Sequence, residues 1–331
     1  MVIIRDEFSI INSITPSSLK NKDVLVGIGD DAAVINSPKH LIVCVDTMVE
    51  EIHFTKQTMG LEDIGYKSLA INVSDIAAMG GKPLYYLVSI SIPNAWSDEE
   101  IQSIYKGMEQ CASLYQMDLI GGETVSTRGP LTIAVTALGK MESGRFTKRS
   151  NAKAGDIIFV TGSLGDSAGG LDILLNDYIK HTDDHSYLIK KHQRPTPKVD
   201  LGLQLAKINR VSLNDISDGL SSELYEIAEA SSVSMMIEEE AIPMSTSLKN
   251  LYGKDQSLQY ALTGGEDFEL LGTMPSEDFH QLQQLTEQKG WSITQIGEVI
   301  LQEDKPEVFL VKKNNPILLT KGGYNHFSEE R

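Results

Sequence analysis

LIVCVD, residues 41–46, is followed by LEDIGYKSLAINVSDIAAMG at 61–80 and by LYYLVSISIP at 84–93. The first and third segments are short apolar runs typical of buried strands, whereas the second repeats apolar residues at helical spacing. A helix over roughly 98–116 and a strand within 131–140 continue the alternation. The pattern predicts an α/β or α+β layer structure.

A polar and basic stretch, ESGRFTKRSNAKAGD at 142–156, interrupts this alternation, and the new strand IIFVTG follows it. We therefore predict two domains, residues 1–148 and 149–331, each long enough to bury its own core. In the second domain, NDISDGLSSELYEIAEAS predicts a helix because Leu220, Leu224 and Ile227 have helical spacing.

Composition excludes several classes of protein. The net charge of −17, from 46 acidic residues against 29 Lys and Arg, and the lack of a basic cluster argue against a nucleic-acid partner. There is no apolar run of about 18 residues and no basic segment leading into an apolar one, so we expect a soluble, cytoplasmic protein without a membrane partner. Cys44 and Cys111 are the only cysteines, which excludes a disulfide framework and does not favour a zinc site.

Histidines and loops are less informative. The polar region 175–198 is expected to be a loop or an exposed helix, with His181 and His185 on a solvated face. TGSLGDSAGGL at 161–171 resembles a phosphate cradle but lacks the Lys-Ser/Thr pair of a P-loop. No Ser-His-Asp, Cys-His or HExxH arrangement is present, so covalent catalysis is not indicated.

Acidic residues recur at glycine-containing segments throughout the chain. These are GIGDDAAV at 27–34, CVDTMVEEIHF at 44–54, GGETVST at 121–127, DISDGLSSEL at 215–224 and TGGEDFELL at 263–271. Glycine allows close backbone approach to a ligand, and carboxylates are hard oxygen ligands, so the combination suits magnesium and phosphate. Two carboxylates about 4 Å apart repel by roughly 4 kcal/mol at an effective dielectric near 20, so convergence requires a cation. Ordinary turn chemistry is the alternative for each segment taken alone.

The individual acidic residues have their own alternatives. Asp30 is predicted to lie in a tight turn and Asp46 to close an apolar strand, and strand ends are where α/β proteins place ligands. Asp75 lies on the inward stripe of its helix, where a metal ligand competes with a buried hydrogen bond to backbone or to Lys67. Spacing lets Asp215 and Asp218 share an ion, although Asp218 or Ser217 is also placed to cap a helix. Taken alone, His53 is expected to be an ordinary surface histidine.

Taken together, the motifs GIGDDAAV, VDTMVEEIHF, NVSDIAAMGGKP, LIGGETVST, VTGSLGDSAGGL, DISDGLSSEL and LTGGEDFELL resemble thiamine-monophosphate kinases. The resemblance covers nearly the whole chain and includes GGYNHF at 322–327. It implies the two-domain architecture of the aminoimidazole ribonucleotide synthetase superfamily. In that architecture the N-terminal α/β domain forms a homodimer, and the C-terminal α+β domain closes an ATP cleft.

The resemblance also assigns site residues, position by position. For several magnesium ions it implies carboxylate ligands, namely Asp30, Asp46, Asp75, Glu123, Asp215 and Asp218. For ATP it implies Tyr105, Gly121, Gly122, Arg149 and Ser217. For thiamine monophosphate it implies His53, Glu266 and Tyr324, the last stacking on an aromatic ring of the substrate.

Four positions depart from the family pattern. Glu123 replaces the usual Asp, Cys44 and Val45 replace hydroxyl residues, and Asn151 stands where Gly is common. Val45 offers a metal only its backbone oxygen, and Glu123 remains a hard ligand with longer reach. A nucleotide-binding scaffold without catalysis and a magnesium-dependent phosphatase are therefore kept as alternatives. The related purine enzymes are nearer rivals, but they lack the DTMVEEIHF type of segment.

The implied reaction is ATP plus thiamine monophosphate giving thiamine diphosphate and ADP, the last step of thiamine diphosphate biosynthesis. It would proceed by direct in-line transfer of the γ-phosphoryl group. A phosphate monoester has a second pKa near 6, so its oxygen is largely deprotonated at neutral pH. The reaction therefore needs little general-base help, which agrees with the absence of an evident base in the sequence.

Overall fold

The computed structural model describes residues 11, 13–28, 33–37, 40–176 and 182–324. The chain forms two compact units. The N-terminal unit comprises Met1–Ile76 and Gly81–Gly144, and the C-terminal unit comprises Ala77–Gly80 and Arg145–Arg331. Within the described ranges, none of the helices has the length and apolar character that crossing a membrane requires.

The N-terminal unit contains a two-stranded hairpin and a four-stranded sheet. The hairpin strands are β1 (Val24–Val26) and β2 (Val34–Ile35). The sheet strands are β3 (Leu41–Val49), β4 (Gly81–Pro93), β5 (Asp118–Thr127) and β6 (Thr132–Met141), in the order β3-β6-β4-β5. Only β4 and β5 pair in parallel, and a helix connects them as parallel strands require.

Two helices in this part of the chain are α1 (Leu61–Ala78) and α2 (Asp98–Tyr115). They touch backbone to backbone. A Cβ atom on Gly65 would lie 1.7 Å from the carbonyl oxygen of Ile104, and one on Gly107 would lie 1.8 Å from that of Glu62. Glycine at both positions is therefore required by the contact, even though glycine weakens a helix interior.

The two faces of the sheet differ in burial. Along β3, Cys44, Asp46 and Met48 point to one face, and Val43 and Val45 point to the other. The first face is covered by α1, because the Cys44 Sγ lies 3.4 Å from the Asn72 carbonyl oxygen. We call the second face the open face.

The C-terminal unit is built on a seven-stranded mixed sheet. Its strands are β7 (Ile157–Thr161), β8 (Ser212–Asp215), β9 (Ser234–Glu238), β10 (Leu270–Met274), β11 (Ile293–Ile300), β12 (Val308–Lys312) and β13 (Asn315–Leu318). The order is β13-β12-β9-β11-β7-β10-β8, and only β12 and β9 are parallel.

Helices cover both faces of this sheet. They are α3 (Asp166–Leu175), α4 (Asp183–Gln193), α5 (Val199–Leu205), α6 (Leu220–Ser231), α7 (Thr246–Thr263) and α8 (Ser276–Lys289). All five residues of β7 are buried. Ile158 and Val160 join a core with α6 and α7, whereas Ile157 and Phe159 join a core with α5 and α8. A strand buried on both faces explains the continuous apolar run IIFVT.

The predicted mixed α/β fold class is confirmed, but three local predictions are wrong. Strand β3 continues to Val49, so Asp46 does not close it. Residues 121–127 belong to β5 and do not form a turn. The region 175–198 contains α4, whose N-cap Thr182 forms a capping box with the ring of His185. His185 is therefore buried and does not lie on a solvated face. His181 lies outside the described residues.

Candidate functional site

In the N-terminal unit, Asp46 of β3 and Asp75 of α1 share a hydrogen bond between their carboxyl groups. Cys44 also forms a hydrogen bond to Asp75. Two carboxyl groups form such a bond only when one of them holds a proton. The sequence prediction that Asp75 faces inward is confirmed, and its partners include Asp46 and Cys44.

Burial dominates the electrostatics of this group. It raises the pKa of Asp46, and the hydrogen bond with Asp75 acts in the opposite direction. Burial also raises the pKa of the Cys44 thiol, and the charges of Asp75 and Asp46 raise it further. Cys44 is therefore a neutral thiol beside two crowded carboxyl groups. Val45 points to the open face and is 61% exposed, so its side chain faces away from Asp46.

Glu123 lies on β5, at the opposite edge of the sheet from Asp46. In the sheet ladder Asp46 shares a row with Gly122, whereas Glu123 stands opposite Ser89. Because neighbouring residues point to opposite faces, Glu123 points to the open face. Three strand spacings make a separation of about 14 Å between the two edges. Asp46 and Glu123 of one chain therefore do not share an ion.

The glycine pair before Glu123 has a partly structural explanation. A Cβ atom on Gly122 would lie 2.0 Å from the carbonyl oxygen of Val88, so the neighbouring strand leaves room only for glycine. A Cβ atom on Gly121 would meet only the Leu87 side chain, at 3.5 Å. Packing therefore explains Gly122 and leaves Gly121 unexplained.

His53 and Tyr105 are held differently. The Nδ1 atom of His53 accepts a hydrogen bond of 3.0 Å from the backbone N–H of Val49, so the neutral ring carries its proton on Nε2. Tyr105 lies on the buried face of α2 with 8% of its surface exposed, and burial raises the pKa of its hydroxyl. Asp30, the remaining predicted ligand in this half of the chain, lies outside the described residues.

In the C-terminal unit, hydrogen bonds connect several predicted residues through two that the sequence analysis missed, Asn214 and Glu223. The Nε atom of Arg149 donates to Asn214 Oδ1 at 3.0 Å, and Asn214 Nδ2 donates to Glu223. Glu223 Oε1 accepts from the backbone N–H of Asp218 at 3.1 Å and from the Ser217 hydroxyl at 3.3 Å. We call these five residues the C-terminal network.

Negative charge is concentrated around this network. Glu226 lies 3.1 Å from both Asn214 Nδ2 and Arg149 Nη2. Burial, followed by the charges of Glu226 and Asp215, raises the pKa of Glu223 to about 9. Glu223 was detectable in the sequence, because it stands three residues after Leu220 and interrupts the apolar stripe of α6.

Helix capping does not explain Asp218. The N-cap of α6 is Gly219, with φ of 118° and no side-chain capping bond, while the Ser217 hydroxyl bonds to Glu223. Asp215 is 5% exposed at the end of β8. The capping alternative for Asp218 and Ser217 is therefore wrong.

Residues 263–271 pack directly against the segment 215–218. The backbone N–H of Glu266 donates to the Ser217 carbonyl oxygen at 2.6 Å, and the Glu266 carboxylate lies 3.4 Å from His192 Nδ1. Glu266 has a φ of 67°, a conformation that is rare for a residue other than glycine. The backbone N–H of Tyr324 donates to the Asp218 carbonyl oxygen at 3.3 Å. Glu266, Ser217, Asp218 and Tyr324 are thus brought together.

The turn at 161–171 does not offer a phosphate cradle. The Asp267 carboxylate accepts hydrogen bonds from the backbone N–H groups of Gly165, at 2.6 Å, and Ser167, at 3.1 Å. These are the groups at the start of α3 that a phosphate would need. Burial raises the pKa of Asp267 to about 8, although the two N–H groups act in the opposite direction.

Within the described ranges, no three His, Cys, Asp or Glu residues gather closely enough to hold a metal by themselves. In proteins, Mg²⁺ keeps several waters and is commonly held by one or two carboxylates together with substrate phosphates. The Asp46–Asp75 pair fits this requirement, because it offers hard oxygen donors and already needs a positive charge between them.

Comparison with known proteins identifies the family of this chain. Residues 29–141 match the N-terminal domain of the family described as AIR synthase related protein, and residues 153–308 match its C-terminal domain. Thiamine-monophosphate kinase from Bacillus subtilis (strain 168) is 47% identical over 326 residues, covering 97% of this chain and 99% of that protein. The chain belongs to the thiamine-monophosphate kinase family.

Solved structures of this family have the same fold. The crystal structure of thiamine-monophosphate kinase from Stenotrophomonas maltophilia K279a matches with a TM-score of 0.83 and 35% identity, covering 91% of this chain and 96% of that one. A structure described as AaThiL complexed with AMPPCP and TMP matches with a TM-score of 0.76 and 31% identity, covering 99% and 100%. Membership of the thiamine-monophosphate kinase family therefore extends over both units.

Proposed function

We propose that this protein is an ATP-dependent kinase that phosphorylates thiamine monophosphate to thiamine diphosphate. The observation that carries the proposal is the family match along nearly the full length of the chain. The relative described with AMPPCP and TMP supports a nucleotide and a thiamine phosphate as the two ligands. Location in the cytoplasm and a functional domain boundary at residue 148 stay predictions.

Acidic side chains are assigned to metal binding. We propose that Asp46 and Asp75 hold one set of oxygen donors, and that Asp215 and Asp218 hold another. When bound, magnesium would neutralise the charge of the phosphate oxygens during in-line transfer. Asp30 is kept in this set from the sequence alone. The magnesium ions that these carboxylates would hold supply the positive charge that a chain with few arginines lacks.

The remaining residues are assigned to the two substrates. Tyr105, Gly121, Gly122, Arg149 and Ser217 are proposed to contact ATP. His53, Glu266 and Tyr324 are proposed to contact thiamine monophosphate. We assign the Nε2–H of His53 as a donor to a phosphate oxygen, since Nδ1 accepts from the Val49 backbone. The Tyr324 side chain is 49% exposed and is proposed to stack on a ring of the substrate.

Product analysis tests the proposal. ADP release would be measured with ATP and magnesium, using thiamine monophosphate, formylglycinamidine ribonucleotide or no acceptor, and the products would be identified. We expect ADP and thiamine diphosphate with the first acceptor only. ADP release with formylglycinamidine ribonucleotide would instead indicate one of the related purine enzymes. Release of free phosphate without an acceptor would indicate a phosphatase. ATP binding without turnover under any condition would indicate a nucleotide-binding scaffold that lacks catalytic activity.

We also propose that two chains form a homodimer through the open face of the N-terminal sheet. Val24 and Ile35 of hairpin β1–β2 pack against the same buried cluster as Leu87 and Leu138 of this face. Val43 and Val45 nevertheless remain 59% and 61% exposed. Exposed apolar patches of this kind commonly mark interaction sites. Glu123 points to the same face, so a second copy would give it partners that its own Asp46 does not provide.

Light scattering tests the dimer. The wild type is expected at twice the chain mass of 36.4 kDa, and Val45→Asp at the mass of one chain, because a charge would be buried at the interface. Leu301→Asp is the matched control, since Leu301 is 77% exposed in the C-terminal unit. A monomeric wild type, or a dimeric Val45→Asp variant, would remove the proposal.

A further inference from the structure

Asn214 and Glu223 lie between residues that already have proposed roles. Both are buried, with 3% and 2% of their surfaces exposed. Asn214 accepts from Arg149 and donates to Glu223, which in turn accepts from the Ser217 hydroxyl and the Asp218 backbone. One unbroken series of hydrogen bonds therefore runs from Arg149 to Asp218.

We propose that Asn214 and Glu223 are positioning residues, which hold Arg149 and the Ser217–Asp218 segment in the geometry that binds ATP. This inference rests on the proposed function, which assigns Arg149 and Ser217 to the nucleotide. Neither residue is expected to touch the substrates itself. Both act on residues that do.

The chemistry of position 223 favours this role over a purely stabilising one. Leu220, Leu224 and Ile227 are fully buried, and an apolar residue at 223 would complete their stripe. Burial of a carboxyl group costs free energy, and apolar replacements of buried polar groups are often neutral or stabilising. Glu223 Oε1 accepts from the Asp218 backbone N–H and the Ser217 hydroxyl. Glu223 Oε2 accepts from the Asn214 side chain. The carboxyl group therefore supports the conformation of the motif.

Arg149 is held at two atoms. Its Nε donates to Asn214, and its Nη2 lies 3.1 Å from Glu226, yet 52% of the side chain stays exposed. An arginine fixed at one edge and exposed elsewhere is preorganised for an anion. Preorganisation reduces the ordering cost of binding, so loss of the Asn214 contact should weaken nucleotide affinity more than it slows the chemical step.

The segment at the other end is held from two sides. Glu223 accepts from the Asp218 N–H, and the Ser217 carbonyl oxygen accepts from the Glu266 N–H at 2.6 Å. Loss of the Glu223 contact would remove this acceptor from a partly buried N–H and free the segment on one side. The orientation of the Ser217 hydroxyl and the Asp218 carboxylate would then vary.

Three variants test the inference in the full chain. Glu223→Met keeps the volume and removes both acceptor oxygens, Glu223→Gln keeps one carbonyl oxygen for the Asp218 N–H, and Glu287→Met changes an exposed glutamate on α8. For each we would determine kcat and the KM of each substrate. Calorimetry with a non-hydrolysable ATP analogue and magnesium would give Kd, and thermal unfolding would give Tm.

We expect Glu223→Met to raise the KM for ATP and the Kd of the analogue by about tenfold, with the KM for thiamine monophosphate within about twofold of wild type. Glu223→Gln should recover at least half of the lost affinity on a logarithmic scale. Glu287→Met should match the wild type. A folded Glu223→Met with wild-type nucleotide affinity would overturn the inference, as would a Gln variant no better than Met.

Asn214→Leu is the second variant if Glu223→Met does not fold, and it is expected to give a similar loss of analogue affinity. Combined with Arg149→Ala it should cause little additional loss, because both changes remove the same anchored arginine. Full additivity, or failure of both buried variants to fold, would assign the two residues a structural role and overturn the proposal. Analogue binding needs no turnover, so a wild type that makes no thiamine diphosphate would refute the proposed function separately.

Discussion

Asp75→Asn is expected to separate stability from activity. In the metal-free protein Asp75 shares a hydrogen bond with Asp46, inside a buried group. An asparagine at position 75 still donates a hydrogen bond to the Asp46 carboxylate, but it carries no charge. The folded state therefore keeps the contact and loses the repulsion between two carboxylates.

Coulomb's law sets an upper limit on the effect. Two full charges about 4 Å apart would repel by about 4 kcal/mol at an effective dielectric of 20, which sets an upper limit because one carboxyl group can retain its proton. In EDTA we expect the variant to unfold at the wild-type temperature or a few degrees above it. With magnesium, loss of one hard ligand should lower kcat/KM by about 10³-fold or more, equivalent to about 4 kcal/mol of transition-state stabilisation.

Two assays check this prediction, namely ADP release with ATP, magnesium and thiamine monophosphate, and thermal unfolding in EDTA and in magnesium. Glu109→Gln is the control, because Glu109 is exposed on α2 of the same unit. Activity above about a tenth of wild type would refute the metal-ligand role of Asp75. A large drop in the EDTA unfolding temperature would refute the proposed electrostatics of the pair.

Other substitutions give further tests. Gly107→Ala places a Cβ 1.8 Å from the Glu62 carbonyl oxygen and should cost about 3 kcal/mol, which thermal unfolding would register as a drop of roughly 10 °C. Burial raises the pKa of Asp267 from 3.8 to about 8, so the folded state binds the proton more tightly and stability should fall as pH rises from about 4 to about 8. Asp267→Asn should flatten that decline in denaturant titrations at pH 6 and 8; an unchanged slope contradicts it. Glu123→Asp, which restores the usual family residue, should keep turnover within about threefold, whereas Glu123→Gln should lose most of it in the ADP assay.

The periodicity of apolar residues predicted the helices and strands whose apolar patterns are long and regular. Helix α1 and strand β4 were placed within a few residues because their apolar patterns are long and continuous. The segment GGETVST was misread because paired glycines usually mark turns. In the structure, Gly122 serves a different purpose, since the adjacent strand lies too close for any side chain. Sequence alone does not reveal the spacing between two strands.

In the candidate site, too, local sequence patterns predicted some features, whereas contacts between distant segments could not be predicted. Asp75 was predicted to face inward because helix spacing fixes its direction. Glu223 was passed over as part of a motif, although a glutamate within an apolar stripe is itself a signal. Asp267 lies next to a predicted substrate residue, but its bonds to Gly165 and Ser167 join segments about 100 residues apart, and no local pattern encodes such a contact.

Long-range closure of this kind has a consequence for folding order. In the C-terminal unit, Ser221 bonds to Gly322 across 101 positions, and Thr161 bonds to Glu269 across 108. Contacts between distant residues require large loops to close, and loop closure slows folding. On dilution from denaturant, helical structure should therefore return first. The ability to bind nucleotide should return only in the last kinetic phase.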